Sequence, residues 1–155
     1  MSKIKIIAMI AVLTIAMSAI PLFAGCAKMA DDTQLINDAA ENILISMNDT
    51  DYAGFSKDFD ETMKAELTEA AFPDFVSAIN GSNGNYKAGS KKLTDGNVKE
   101  DKELIFASYL ADFDNFNDVA FEVTFKEMAN EKKAVGLWFL GPSTNLFIGT
   151  TSNNS

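Results

Sequence analysis

The chain has 155 residues, 47% of them hydrophobic, with 13 basic and 22 acidic side chains, one cysteine and no histidine. Every basic residue is a lysine. These absences exclude Ser-His-Asp and Cys-His catalysis, an imidazole general base and an HExxH zinc site, and they leave no guanidinium to clamp phosphate or carboxylate in two-pronged fashion.

The N-terminus begins with a basic stretch, Met1 to Lys5, followed by an apolar run from Ile6 to Ile20 broken only by Thr14 and Ser18. Pro21-Leu22-Phe23-Ala24-Gly25-Cys26 closes it with small residues, and the whole order describes an export signal over residues 1–25. Leu22 to Cys26 resembles a lipoprotein signal box, with Phe23 standing where leucine is commoner. Cys26 is therefore the expected lipid attachment site, and residues 26–32 the lipidated cysteine and its tether. The alternative is an uncleaved anchor, since about 20 apolar residues span a bilayer; Pro21 and the place of the cysteine argue against it. Lipidation also accounts for a single thiol in an exported chain, where an unpaired cysteine is otherwise exposed to oxidation.

Without residues 1–25 the chain keeps 130 residues, with eleven lysines against 22 acids and a formal charge of −11. So acidic a body is repelled by nucleic acid and by anionic headgroups, so the expected membrane contact is the lipid on Cys26. The length suits one domain, expected over residues 33–142, with a polar tail at 143–155.

Asp31, Asp32 and Thr33 offer capping chemistry for a first helix, in which Ile36, Ala40, Ile43 and Met47 recur at helical spacing and Leu35, Ala39 and Leu44 widen the stripe. Asn48 to Asp51 breaks it. Tyr52, Phe55, Phe59 and Met63 then predict a second helix, and Phe72, Phe75, Val76 and Ile79 a third, which Pro73 limits at its start and Asn80 to Asn85 ends. Beyond Gly84 the period becomes two. A weak polar strand or strand pair is expected over Tyr86 to Val98, with Lys99 to Lys102 as a charged turn. Leu104 to Phe113 is strongly apolar, and Val119, Phe121, Val123 and Phe125 alternate with Ala120, Glu122, Thr124 and Lys126 in the pattern of a strand with one dry face. Ala134 to Leu140 is apolar on both faces, so it is covered on both sides or lies at an interface. Helices followed by strands predict an α+β domain, with N-terminal helices packed on an antiparallel sheet of about four strands.

Asn48 to Phe55 with Asp58-Phe59-Asp60, then Gly84-Asn85-Tyr86-Lys87, then Ala134-Val135-Gly136-Leu137-Trp138-Phe139, resemble in order and spacing the family catalogued as domain of unknown function 3887. That family is placed among the cone-shaped folds related to nuclear transport factor 2 and ketosteroid isomerase, also described as cystatin-like. The resemblance implies a curved antiparallel sheet wrapped around helices with a concave cavity, and no defined catalytic set. No catalytic motif of the wider fold is matched residue by residue.

Aromatic residues gather on the predicted helices and strands. Tyr52, Phe55, Phe72, Phe75, Tyr109 and Trp138 are the candidates to line an apolar ligand pocket, although stripes at structural periods are more often core. Asp112 to Asp118 collects three carboxylates and two amides, yet lacks the Gly and Glu positions of a calcium loop and reads better as a turn. Asp58, Asp60 and Glu61 point in different directions if helical, and Lys91-Lys92 and Lys132-Lys133 read as turn and strand-edge charge. Asn48, Asn80 and Asn153 match the glycosylation acceptor pattern. No metal, cofactor or catalytic residue is expected. The chain reads as an exported lipoprotein that binds a small molecule, a peptide or an envelope partner, with a homodimer allowed. Acid-base chemistry by a buried carboxylate and a tyrosine, or docking through the strand at Val135 to Phe139, are its alternatives.

Overall fold

The computed structural model describes the backbone of residues 24–101, 103–129, 131–141 and 145–149, and the side chains of these apart from 24–31 and 95–101. The expected export signal thus lies outside the described residues but for its last two, and the side chain of Cys26 lies outside them as well. Among the described residues no helix is long and apolar enough to cross a membrane.

The first helix, α1, runs over Ala24–Asp49. It begins a good two turns earlier than the cap at Asp31 to Thr33 suggests, so the stretch expected as an irregular tether is helical. Ala27, Lys28, Met29 and Ala30 are strong helix formers, and a helix already nucleated extends through such residues at little cost. Its buried stripe is Ile36, Ala39, Ala40, Ile43, Leu44 and Met47, while Leu35 stays half exposed.

The single second helix expected from Tyr52 to Met63 is instead two short ones, α2 (Tyr52–Phe55) and α3 (Glu61–Glu66). Asp51 caps α2 by accepting from the Gly54 N–H, and Asp60 caps α3 by accepting from the Met63 N–H at 2.8 Å. Between them the backbone is extended: Ala134 N–H donates to the Asp58 carbonyl at 2.7 Å and Asp60 N–H to the Ala134 carbonyl at 3.0 Å. A helical period in the side chains was outweighed by a tertiary demand, because Ala134 stands on a strand whose outer neighbour has already ended and needs partners for its peptide groups. The last helix, α4, spans Phe72–Asn83 with Pro73 in its first turn, where a missing N–H costs nothing. It stops at Gly84, whose φ of 80° and 2.6 Å approach to the Asp114 side chain from any added Cβ admit only glycine.

Five strands follow: β1 (Lys92–Asp101), β2 (Leu104–Ala111), β3 (Val119–Met128), β4 (Glu131–Leu140) and β5 (Asn145–Gly149). They form one antiparallel sheet in sequence order, each strand paired with the next. Lys99 to Asp101, expected as a turn, is strand and pairs with Leu104 to Phe106. The register breaks between Leu93 and Val98, around the Asp95-Gly96 interruption visible in the sequence.

The fifth strand corrects both the expected count of about four and the polar tail at 143–155. Leu146 and Ile148 pack against the core from β5, and Gly149 must lack a side chain because a Cβ there would run into the Val135 carbonyl. Residues 150–155 lie outside the described residues.

All four helices pack on one face of the sheet. The inward residues of β2, β3 and β4, from Ile105 and Tyr109 through Phe121 and Phe125 to Leu137 and Phe139, share one buried cluster with the apolar stripes of α1 and α4. The domain is thus α+β with an open sheet, dry inside and, among the described residues, uncovered outside.

Candidate functional site

Five of the six aromatic residues singled out in the sequence come together. Tyr52 touches Phe72 with ring centroids 5.6 Å apart, Phe72 touches Phe55 at 4.6 Å and Phe55 touches Phe75 at 5.7 Å. Phe75 reaches Phe139 at 6.3 Å, and Phe139, Phe121 and Tyr109 stack at 5.6 and 5.0 Å. This chain of rings fills the space between helices and sheet, so Phe55, Phe72 and Phe75 meet one another, and Tyr109 joins them through Phe121 and Phe139, rather than lining a cavity. Tyr52 is half-buried and donates its hydroxyl to the Leu67 carbonyl. Trp138 is not among them: it projects from the opposite face of the sheet and is 39% exposed. The reason is the period of two, which sends Leu137 and Phe139 inward and the residue between them out.

Beside the ring stack lies a polar cluster that the sequence did not announce. Glu41 of α1 accepts from the Tyr86 hydroxyl at 2.8 and 3.0 Å and from the Gly89 N–H at 2.9 Å. Asn48, one and two turns further along α1, exchanges two hydrogen bonds with the Tyr86 backbone. Its amide is spent on this pairing, which removes Asn48 as an accessible glycan acceptor in the folded protein. Lys91, expected as surface charge, has a side chain only 9% exposed; its ammonium lies 3.9 Å from Glu41 and 4.7 Å above the Tyr109 ring. Burial pushes the Lys91 amine below the usual lysine range, against the pull of Glu41 and Asp38. Burial first, and then the bond to Glu41, raise the Tyr86 phenol to about 12. The Tyr109 phenol is raised further by burial alone, and its hydroxyl has no partner. The cluster ties the segment from Gly84 to Lys91 to α1.

The acidic loop Asp112 to Asp118 is likewise consumed in folding. The Asp114 carboxylate accepts from the Asn85 N–H and the Asp112 carboxylate from the Asp118 N–H, each at 3.0 Å. Among the described residues no group of three acidic or thiol side chains is placed to hold a metal.

A groove of ≈ 700 Å³ runs beside the middle turns of α1, lined by Asp32, Asp38, Lys57, Asp58, Lys132 and Lys133 with others. Its charges answer one another: Lys132 meets Asp32 at 3.0 Å, Lys57 meets Asp58 at 3.9 Å and Lys133 meets Glu131 at 2.9 Å. The last pair shows it electrostatically, the Lys133 ammonium being raised and the Glu131 carboxyl lowered by their mutual hydrogen bond.

The outer face of the sheet is different. Register places Ser108, Glu122, Trp138 and Phe147 in one row across β2 to β5, with Leu110, Ala120, Leu140 and Asn145 in the row beside it. Trp138, Leu140 and Phe147 are exposed. The indole is held in place: its N–H donates to the Asn145 side chain at 3.2 Å and its ring meets the Phe147 edge at 5.4 Å. Sequence reasoning saw that β4 is apolar on both faces, but the row became visible only with the register, and Phe147 lay in the stretch expected as tail. Comparison with protein-family models, with curated proteins and with solved structures found no match to the chain.

Proposed function

We propose that the chain is an exported, Cys26-lipidated binding module of nuclear-transport-factor-2-like type that docks an envelope partner on the outer face of its sheet without catalysing a reaction. The observation that supports it is the row of fixed, exposed aromatic side chains on that face, Trp138 and Phe147 with Leu140 beside them. Apolar side chains locked in one orientation and left uncovered mark recognition surfaces, since an order already imposed is not charged again on binding. The cone relationship draws on the order of helices before a meandering sheet and on their common face. With Cys26 already inside α1, the helix would begin directly at the lipid anchor and hold the domain close above it.

The acid-base alternative draws on the contact of Glu41, Tyr86 and Lys91. The phenol at about 12 releases its proton far above neutral pH, so the cluster serves the fold better than a proton transfer.

The test is cross-linking in the producing cells. A photo-reactive residue in place of Trp138 should give an adduct in the membrane fraction, and the same residue in place of Glu61, on the helix side, should not. Equal adducts at both places, or none at Trp138, would end the docking reading. The anchor is checked separately: Cys26→Ser should move the protein from the membrane to the soluble fraction.

A further inference from the structure

We infer that the outer sheet face seats a cationic side chain, a lysine or arginine of a partner polypeptide, between the Trp138 indole and the Glu122 carboxylate. The inference rests on the docking reading above and supplies its chemistry.

Glu122 and Trp138 are direct cross-strand neighbours, which places their Cβ atoms about 5 Å apart on the same face. Glu122 is half-buried, with Ser108 donating to its carboxylate at 2.8 Å. Among the described residues it meets no lysine, although lysines elsewhere find acids: Lys126 on the same strand turns to Glu103 at 3.5 Å. An apolar partner laid over Trp138, Leu140 and Phe147 would strip water from this carboxylate and leave it without a counter-charge, which disfavours such a partner. A partner that brings a cation removes that penalty. The indole beside the carboxylate adds a second attraction, because the face of a tryptophan ring carries the negative lobe of its quadrupole and draws ammonium or guanidinium groups. Its hydrogen bond to Asn145 holds the ring in one orientation before any partner arrives.

Leu110, Ala120 and Leu140 in the next row offer an apolar flank to the stem of a long basic side chain. A second copy of this chain fits the same face poorly. Two-fold contact centred on this row would bring Glu122 of one copy toward Glu122 of the other with no cation between them, in a chain whose formal charge is −9.

The experiment uses the full chain in non-ionic detergent micelles and two tripeptides carrying fluorescein on the N-terminus, fluoresceinyl-Leu-Lys-Leu-amide and the same peptide with the lysine acetylated. Anisotropy should show the lysine peptide binding about tenfold more tightly than its neutral counterpart, a difference that the Glu122→Gln variant abolishes and the Glu61→Gln variant leaves intact. Equal affinity of the two peptides overturns the cationic seat while the docking face stands. Loss of the difference in Glu61→Gln as well assigns the effect to overall negative charge and also overturns it, as does failure of the lysine peptide to bind; in that last case the cross-linking at Trp138 decides whether the docking face falls too. Sedimentation of the unliganded chain as a dimer that Trp138→Asp dissociates would give the face to a second copy instead.

Discussion

On the inner face of the sheet Tyr109, Phe121 and Phe139 stand in register on adjacent strands, stacked and each 1% exposed, whereas one residue further along the same strands Leu140 is 48% exposed and Trp138 39%. Both rows carry large apolar side chains on the same backbone. What separates them is what lies above: α1 and α4 cover one row, and nothing in the described structure covers the other. Apolar rings under a helix have no other place to go and become core, while rings in the open are available to a partner. The polar groups divide the same way. Inside, Glu41 and Lys91 answer each other across the Tyr86 hydroxyl, and outside Glu122 accepts from the Ser108 hydroxyl and meets no lysine among the described residues.

The comparison breaks most visibly at Phe121, between Tyr109 and Phe139. Phe121→Ala should cost about 3–5 kcal/mol, read as a lowered urea midpoint, since the rings around it close only partly over the void. The same truncation at Trp138 should cost a fraction of that; a loss as large as at Phe121 would mean that the outer row is structural.

Tyr86→Phe comes next, at about 1–2 kcal/mol, because Glu41 then loses the donor that its position was built around. Alkaline titration sharpens this. A phenol raised to about 12 in the fold and near 10 in the unfolded chain keeps its proton longer when folded, so its contribution is complete below about pH 10 and is lost as pH rises through about 12. Tyr86→Phe should flatten that decline in stability measured by urea unfolding at fixed pH.

Tyr109→Phe should act in the opposite sense. Its hydroxyl is buried without a partner, so removal should leave stability unchanged or raise it by up to about 1 kcal/mol. A clear loss would mean that the hydroxyl finds a partner in solution. The smallest effect is expected at Leu140, where Leu140→Ser should move the midpoint by no more than about 0.5 kcal/mol in a side chain 48% exposed. These two variants bracket the claim that burial, rather than residue type, divides the two faces.

Much of the fold was legible before any coordinates. The stripe of α1 from Ile36 to Met47 and the alternation of β3 carry periods strong enough to name element, face and core together. What stayed hidden had a common cause. Phe59 belongs to a helical pattern, yet its flanking peptide groups are claimed by Ala134, some 75 residues later. Leu146 and Ile148 sit among asparagines and threonines, so a strand of five residues did not rise above the polar background. Of the candidate pocket, the sequence grouped the aromatic residues by type and period, and five of the six do meet; it had no means of knowing that Trp138 faces the other way until β4 was aligned.

The sequence by itself determined the basic start and apolar run before a single cysteine, the acidic charge, the exclusion of histidine and arginine chemistry and the α+β order, because composition and local period are properties of neighbouring residues. Only the tertiary structure decided that Lys91 is buried over Tyr109, that Asn48 is spent on Tyr86, and that Glu122, Trp138 and Phe147 share a row. Each of these joins residues from separate elements, and such meetings depend on the register of one strand against the next and on how the helices pack on the sheet's buried face.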